Sequence, residues 1–219
     1  MENHVELGIR VNRDSAKSKY TRNEKVYLPM ELLKERICRD GKVVGQEVLK
    51  VDKFLNHQMD VAFLSELGKE FERRFHDCGV TKILTIEASG IGIACLTAQH
   101  FGVPVVFAKK NKTKNIAGDV YTSKVESFTI GKTYDIIVSK EFLSAEDRVL
   151  LIDDFLANGH ALAGLIRLVK DAGATLVGAG IVIEKAFQPG GETLRSQGIH
   201  IESLARIKSM DEKTGVEFF

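Results

Sequence analysis

Helically spaced apolar residues and unbroken aliphatic runs alternate along this chain. Phe63, Leu64, Leu67, Phe71 and Phe75 lie three or four apart, which predicts a helix over 60–75 with one buried stripe and Asp60 as its cap. Leu162, Leu165, Ile166 and Val169 predict a second amphipathic helix over 159–172. Between them, four consecutive aliphatics, Val149 to Ile152, predict a strand over 148–153 covered on both faces, as in a parallel sheet. Segments 103–108 and 174–184 read as further buried strands, and 82–87 as a strand that passes at once into a helix ending near Phe101. The rest of the pattern predicts a short helix over 30–39 stopped by Gly41, and an extended segment over 43–54 followed by a polar turn at Asn56, His57 and Gln58. It also predicts an antiparallel hairpin of 120–128 and 134–139, a helix near 191–197 and a strand near 199–206. No internal repeat is evident.

Strands alternating with helices predict an α/β fold, an open, mainly parallel sheet with helices on both faces. Right-handed crossovers place the loops after Glu87, Asp153 and Glu184 at one edge, where the strands' carboxyl ends collect ligands. Composition narrows the setting. The 219 residues carry 31 Lys and Arg against 30 Asp and Glu, a net charge of +1, so nothing pulls the whole molecule toward nucleic acid or an anionic membrane. An anion site must therefore be local. No apolar run reaches the roughly eighteen residues of a membrane span, and the start of the chain lacks the apolar core of a signal peptide. Cys38, Cys78 and Cys95 are odd in number and far apart, which speaks against a disulfide framework or zinc site and for a reduced, cytoplasmic protein. Residues 1–29 differ from the remainder: Arg10, Arg13, Lys17, Lys19, Arg22 and Lys25 stand against four acids with little apolar periodicity. This extension is expected to be a poorly ordered leader ahead of Met30 rather than an RNA-binding arm.

The strongest chemical signal is the stretch 149–161. A hydrophobic strand delivers Asp153 and Asp154 side by side, and a tight turn through Ala157, Asn158, Gly159, His160 and Ala161 then opens a helix. Such a turn points free backbone N–H groups and the positive end of the helix dipole at one spot, which suits a phosphate without any lysine. Gly159 lets the backbone come close to that anion. The two carboxylates cannot bind phosphate, but they accept hydrogen bonds from vicinal hydroxyls. Phosphate turn and diol acceptors together describe a ribose 5-phosphate.

This stretch resembles the phosphoribosyl-pyrophosphate motif of the type I phosphoribosyltransferases, and the body 30–219 resembles the purine-salvage members of that family. The likeness extends over 48–52, 54–58, 103–109, 152–159, 181–185, 187–190 and 201–207. It implies a hood over 43–58, a flexible hairpin lid over 109–139, and a homodimer. It assigns the 5-phosphate to 157–161 and the ribose hydroxyls to Asp153 and Asp154. A second site follows the first parallel strand, where Glu87, Ala88, Ser89 and Gly90 form a small-residue turn for pyrophosphate that in this family often contains a non-proline cis peptide. Lys109, Lys110 and Lys112 lie in the basic loop ahead of the hairpin bearing Ser127, Phe128 and Thr129; Lys109 and Lys112 join the expected pyrophosphate ligands. A basic lid that closes over a highly charged substrate excludes water.

Lys185 is the clue to specificity. It ends a buried strand at the ligand edge, and an ammonium has three donors and no acceptor, so it suits the 6-oxo group and N7 of a 6-oxopurine and rejects an exocyclic amine. Leu49 and Asn56 match the family's base-covering hood, and Phe155 and Phe187 are candidate neighbours of the ring. The reaction implied is displacement of pyrophosphate from C1 of phosphoribosyl pyrophosphate by N9 of a purine, xanthine being the expected base, through an oxocarbenium-like transition state. No covalent nucleophile is needed, and Mg²⁺ is expected to be held mainly by substrate oxygens and water rather than by protein ligands. One departure stands out: Ala157 occupies the place where hypoxanthine–guanine enzymes carry an aspartate. The alternatives are an adenine or hypoxanthine–guanine phosphoribosyltransferase, or a non-catalytic sensor of phosphoribosyl pyrophosphate; the last needs a DNA-binding module for which the leader is too short.

Overall fold

The computed structural model describes residues 29–110, 118–127 and 132–219; the expectations for 1–28, Lys112, Phe128 and Thr129 lie outside them. The chain begins with helix α1 (Pro29–Asp40), then strands β1 (Lys42–Val44) and β2 (Val48–Lys50), which form a separate two-stranded hairpin. Here the expected extended segment is corrected. Gly45 adopts φ +63° and reverses the chain, and 52–56 coil into a helical turn. Phe54 and Leu55 are both buried on that turn.

Helix α2 (Val61–Phe75) starts where expected, its Asp60 cap accepting a hydrogen bond from the Phe63 N–H at 3.2 Å. It ends through a short turn at Gly79, in the left-handed conformation. Strand β3 (Lys82–Ile86), helix α3 (Ser89–Phe101), strand β4 (Val105–Lys110) and the hairpin β5 (Val120–Ser127) and β6 (Lys132–Ser139) follow. Strand β7 (Arg148–Leu156) runs into helix α4 (His160–Asp171), and β8 (Thr175–Lys185), α5 (Gly190–Ser196), β9 (Ile201–Asp211) and β10 (Gly215–Phe218) complete the body. The last strand was not expected from the pattern, and β7 runs three residues further than the expected 148–153.

Among the described residues the main sheet has the order β10-β9-β8-β7-β3-β4-β6-β5. The pairs β9–β8, β8–β7, β7–β3 and β3–β4 are parallel, while the hairpin and β10 are antiparallel. Helices α1 to α3 bury one face around Leu33, Leu64, Phe71, Phe75 and Ile93. Helix α4 buries the other around Leu162, Leu165, Leu168 and Leu84. Strand β7, covered on both sides, holds Val149, Leu150, Leu151 and Ile152 fully buried, as its aliphatic run requires. Strand β4 departs from expectation: within it only Ala108 is buried and Phe107 is exposed, and its outer neighbour β6 pairs with it only at Lys109 and Lys110.

Candidate active site

The three predicted loops do share one edge. Strand order reverses beside β3: the chain leaves it for β4 on one side and returns on the other with β7, then continues outward through β8 and β9. Pairing between β3 and β7 stops at Leu84 and Leu151, whereas β7 stays paired with β8 as far as Leu156. The two central strands part there, and such a parting opens a crevice at the carboxyl ends.

Asp153 and Asp154 stand on the β7 side of that crevice. Their residues are only 5% and 7% exposed. Asp153 Oδ1 accepts the N–H of Asp154 at 2.9 Å, and Asp154 Oδ1 accepts the N–H of Phe155 at 3.1 Å, which fixes both carboxylates. Burial, reinforced by the neighbouring Asp154 charge, pushes the Asp153 carboxyl well above the usual aspartate range, and Lys110 opposes that rise. On the β3 side lies the turn Glu87–Gly90, whose Glu87–Ala88 peptide is cis. A Cβ on Gly90 would fall 2.2 Å from Thr85 Oγ1 and 3.1 Å from Asp153 Oδ1, so only glycine lets the two sides approach. The Thr85 hydroxyl beneath it is buried and has no hydrogen-bond partner.

The predicted phosphate loop follows directly. Gly159 has φ +81° and caps α4, its carbonyl accepting from the Ala163 N–H at 2.8 Å. A Cβ there would meet the Gly190 Cα at 3.1 Å, so α5 backs the loop closely. His160 Nδ1 lies 3.7 Å from Glu126 Oε2 on the hairpin. A cleft of about 1080 Å³ runs from Asn158, Gly159 and His160 between the hairpin and α5, without including the two aspartates.

The basic residues separate. Lys109 turns its ammonium over the Phe107 ring, 5.8 Å from the centroid, along the edge of β4. Lys110 is the one whose charge acts on Asp153; its N–H donates to Glu87 Oε1 and its ammonium lies 5.5 Å over Tyr134. Sequence reasoning did not single out Tyr134, whose hydroxyl is raised by burial and by the Asp153 charge.

Lys185 sits at the end of β8, half-buried. Its ammonium donates to the Glu47 carbonyl in the hood and lies 5.7 Å over the Phe155 ring. Burial lowers its pKa, with the Glu47 charge opposing. Leu49 is buried in the hood, and the Asn56 side-chain oxygen is buried without a partner. The segment 187–190 belongs to the family likeness, but the close packing of Gly190 and Gly191 after Pro189 was not read from it, though a proline followed by two glycines is itself a turn signal.

Comparison with known proteins agrees with this geometry. Residues 65–197 match the phosphoribosyl transferase domain. A xanthine phosphoribosyltransferase of Lachnoclostridium phytofermentans is 62% identical over 190 residues, 87% of this chain and 98% of the relative. One from Bifidobacterium longum subsp. infantis is 57% identical over 187 residues, covering 85% and 97%. Among solved structures, adenine phosphoribosyltransferase from Rhodothermus marinus superimposes with a TM-score of 0.66 at 21% identity, covering 81% of this chain and 98% of that one, a likeness of fold alone. The chain belongs to the phosphoribosyltransferase family, and within it to the xanthine phosphoribosyltransferases.

Proposed function

We propose that this chain transfers the 5-phosphoribosyl group of phosphoribosyl pyrophosphate to N9 of xanthine, yielding xanthosine 5'-monophosphate and pyrophosphate. One observation carries the reading: two fixed, buried carboxylates stand immediately before a glycine-opened phosphate loop, at the point where the sheet's order reverses. The N9–C1 bond forms as the C1–oxygen bond to pyrophosphate breaks. Asp153 and Asp154 accept the ribose hydroxyls and face the positive charge that grows on the sugar. The loop 157–161 anchors the 5-phosphate, and holding both reactants in line supplies much of the acceleration. Glu87, Ala88, Ser89 and Gly90 receive the leaving pyrophosphate, with Lys109, Lys110 and Lys112 as cations toward it.

Mg²⁺ suits this site as an ion held mainly by substrate oxygens and water, with the hard carboxylate oxygens of Asp153 and Asp154 beside it. When bound, the ion neutralises pyrophosphate charge, held mainly by substrate oxygens. Lys185 faces the oxo edge of the base, Leu49 and Asn56 close over it from the hood, and Phe155 borders the ring. With Ala157 in the loop, the carboxylate that hypoxanthine–guanine enzymes carry at that place is missing, and the proton that the imidazole ring of xanthine sheds as the N9–C1 bond forms passes to water. No described helix is long and apolar enough to cross a membrane; the protein is proposed to work in the cytoplasm as a homodimer, which light scattering checks.

The test is pyrophosphate release with xanthine, guanine, hypoxanthine, adenine and uracil in the presence of phosphoribosyl pyrophosphate and Mg²⁺. Xanthine is expected to lead. Adenine leading, or no release with any base, refutes the proposal.

A further inference from the structure

Glu184 is an acid in an apolar sheet, 2% exposed, and plays no part in the chemistry above. It pairs in register with Leu156 of β7, the residue just before the phosphate loop. Two donors of Arg195 on α5 grip it in parallel, Nη1 to Oε1 and Nη2 to Oε2, both at 2.7 Å. Ser203 Oγ donates to Oε2, and Arg206 Nε lies 3.4 Å from the same oxygen. The carboxylate is therefore fully satisfied, and its position is set by three strands and one helix.

What that grip holds is the start of α5. A Cβ on Gly191 would lie 2.2 Å from Glu184 Oε1 and 2.9 Å from Arg195 Nη1. A Cβ on Gly190 would lie 2.3 Å from the Ala157 carbonyl oxygen and 2.5 Å from the Gly159 nitrogen. The Gly190 N–H also donates to that Ala157 carbonyl at 3.1 Å. The two glycines thus form a wedge with no spare space, one side on the Glu184–Arg195 pair and the other on the backbone of 157–159. The neighbouring Lys185 points to the opposite face of β8, toward the hood.

We propose that Glu184 and Arg195 are positioning residues for the sugar-phosphate loop, acting through Gly190 and Gly191 on the backbone of 157–159. This rests on the phosphoribosyl reading. One strand end then serves both substrates from its two faces: Glu184 sets the grip on phosphoribosyl pyrophosphate, and Lys185 sets the grip on the base. A pair that merely stabilised the fold would disturb both grips alike.

Steady-state kinetics on the full chain decide between these. Glu184→Gln is expected to raise the KM for phosphoribosyl pyrophosphate by about tenfold or more, since small misplacements of a binding group are that costly. The KM for xanthine stays within about twofold, the pattern of a lost interaction with one substrate only. Arg195→Lys recovers part of what Arg195→Met loses, because one ammonium cannot span both carboxylate oxygens. Glu192→Gln, exposed on the same helix, behaves as the parent. If Glu184→Gln does not fold, Gly190→Ala leaves the ion pair intact and presses directly on Ala157, with the same one-sided KM rise expected. An unchanged phosphoribosyl-pyrophosphate KM, or both KM values rising together, overturns the proposal. A parent enzyme that releases no pyrophosphate with any base overturns the functional reading itself, an outcome seen before any variant is made.

Discussion

The Lys185 ammonium donates a 2.5 Å hydrogen bond to the main-chain carbonyl of Glu47, tying the end of β8 to the turn of the hood hairpin. The same ammonium is the donor proposed for the oxo edge of xanthine, so the base must share it with, or take it from, the hood. Lys185→Ala removes a charged hydrogen bond worth about 1.5–3 kcal/mol, a loss of roughly ten- to hundredfold in kcat/KM for xanthine. Adenine, which lacks the oxo acceptor and offers that donor only N7, should lose less. A base panel run on parent and variant reads the difference directly.

Because burial lowers the Lys185 pKa, its positive charge is lost at lower pH than the ordinary lysine value of 10.5. The alkaline limb of kcat/KM for xanthine is therefore expected below that value, and Lys185→Arg, which stays charged, should move it upward. A limb that does not move in Lys185→Arg assigns the titration to another group.

Asp153 gives a stability prediction with a definite sign. Its folded pKa is raised, so the folded state binds the proton more tightly than the unfolded chain. Below the ordinary value of 3.8 both states are protonated and the group is neutral in its effect. As pH climbs through the folded pKa the buried charge costs stability. Asp153→Asn should leave the melting temperature unchanged in strong acid and raise it at neutral pH, by about 2–4 °C for each kcal/mol relieved. The same variant should lose activity, since the carboxylate is the proposed partner of the ribose hydroxyls. Thermal scans across pH, beside initial rates, check both halves.

Lys110 and Lys109 should separate in kinetics. Lys110 is the cation that acts on Asp153, whereas Lys109 lies over Phe107. Lys110→Ala is expected to reduce kcat more than Lys109→Ala, with Mg²⁺ saturating in both assays. The reverse order would make Lys109 the main cation toward pyrophosphate.

Much of the architecture could be read in advance because it follows from one-dimensional pattern. The α2 stripe, the aliphatic run of β7 and the Asp60 cap each act locally, and each appears where expected. The hood did not, since whether 43–54 runs on or folds back depends on Gly45, one residue among ordinary strand formers. Strand β10 was missed because it is short and gains its stability from β9 rather than from its own composition. At the site, Asp153, Asp154 and the glycine-bearing loop were legible as a contiguous motif. Thr85, Tyr134, Glu184 and the Gly190–Gly191 wedge were not. Their roles come from contacts across strands and helices that no local spacing encodes.

Gly159→Ala probes the loop itself. A left-handed conformation costs a residue with a Cβ about 1–2 kcal/mol, and here the added carbon also presses on Gly190. Weaker binding of phosphoribosyl pyrophosphate with xanthine binding retained is the expected outcome, measured by calorimetry on each substrate separately.

The central claim, that the loop after the paired aspartates cradles a sugar phosphate, is tested most directly by a crystal structure with phosphoribosyl pyrophosphate and Mg²⁺ bound. The 5-phosphate is expected on the backbone N–H groups of 157–161, with the ribose hydroxyls on Asp153 and Asp154. A substrate bound elsewhere, with those N–H groups engaged by the protein's own chain, would contradict it.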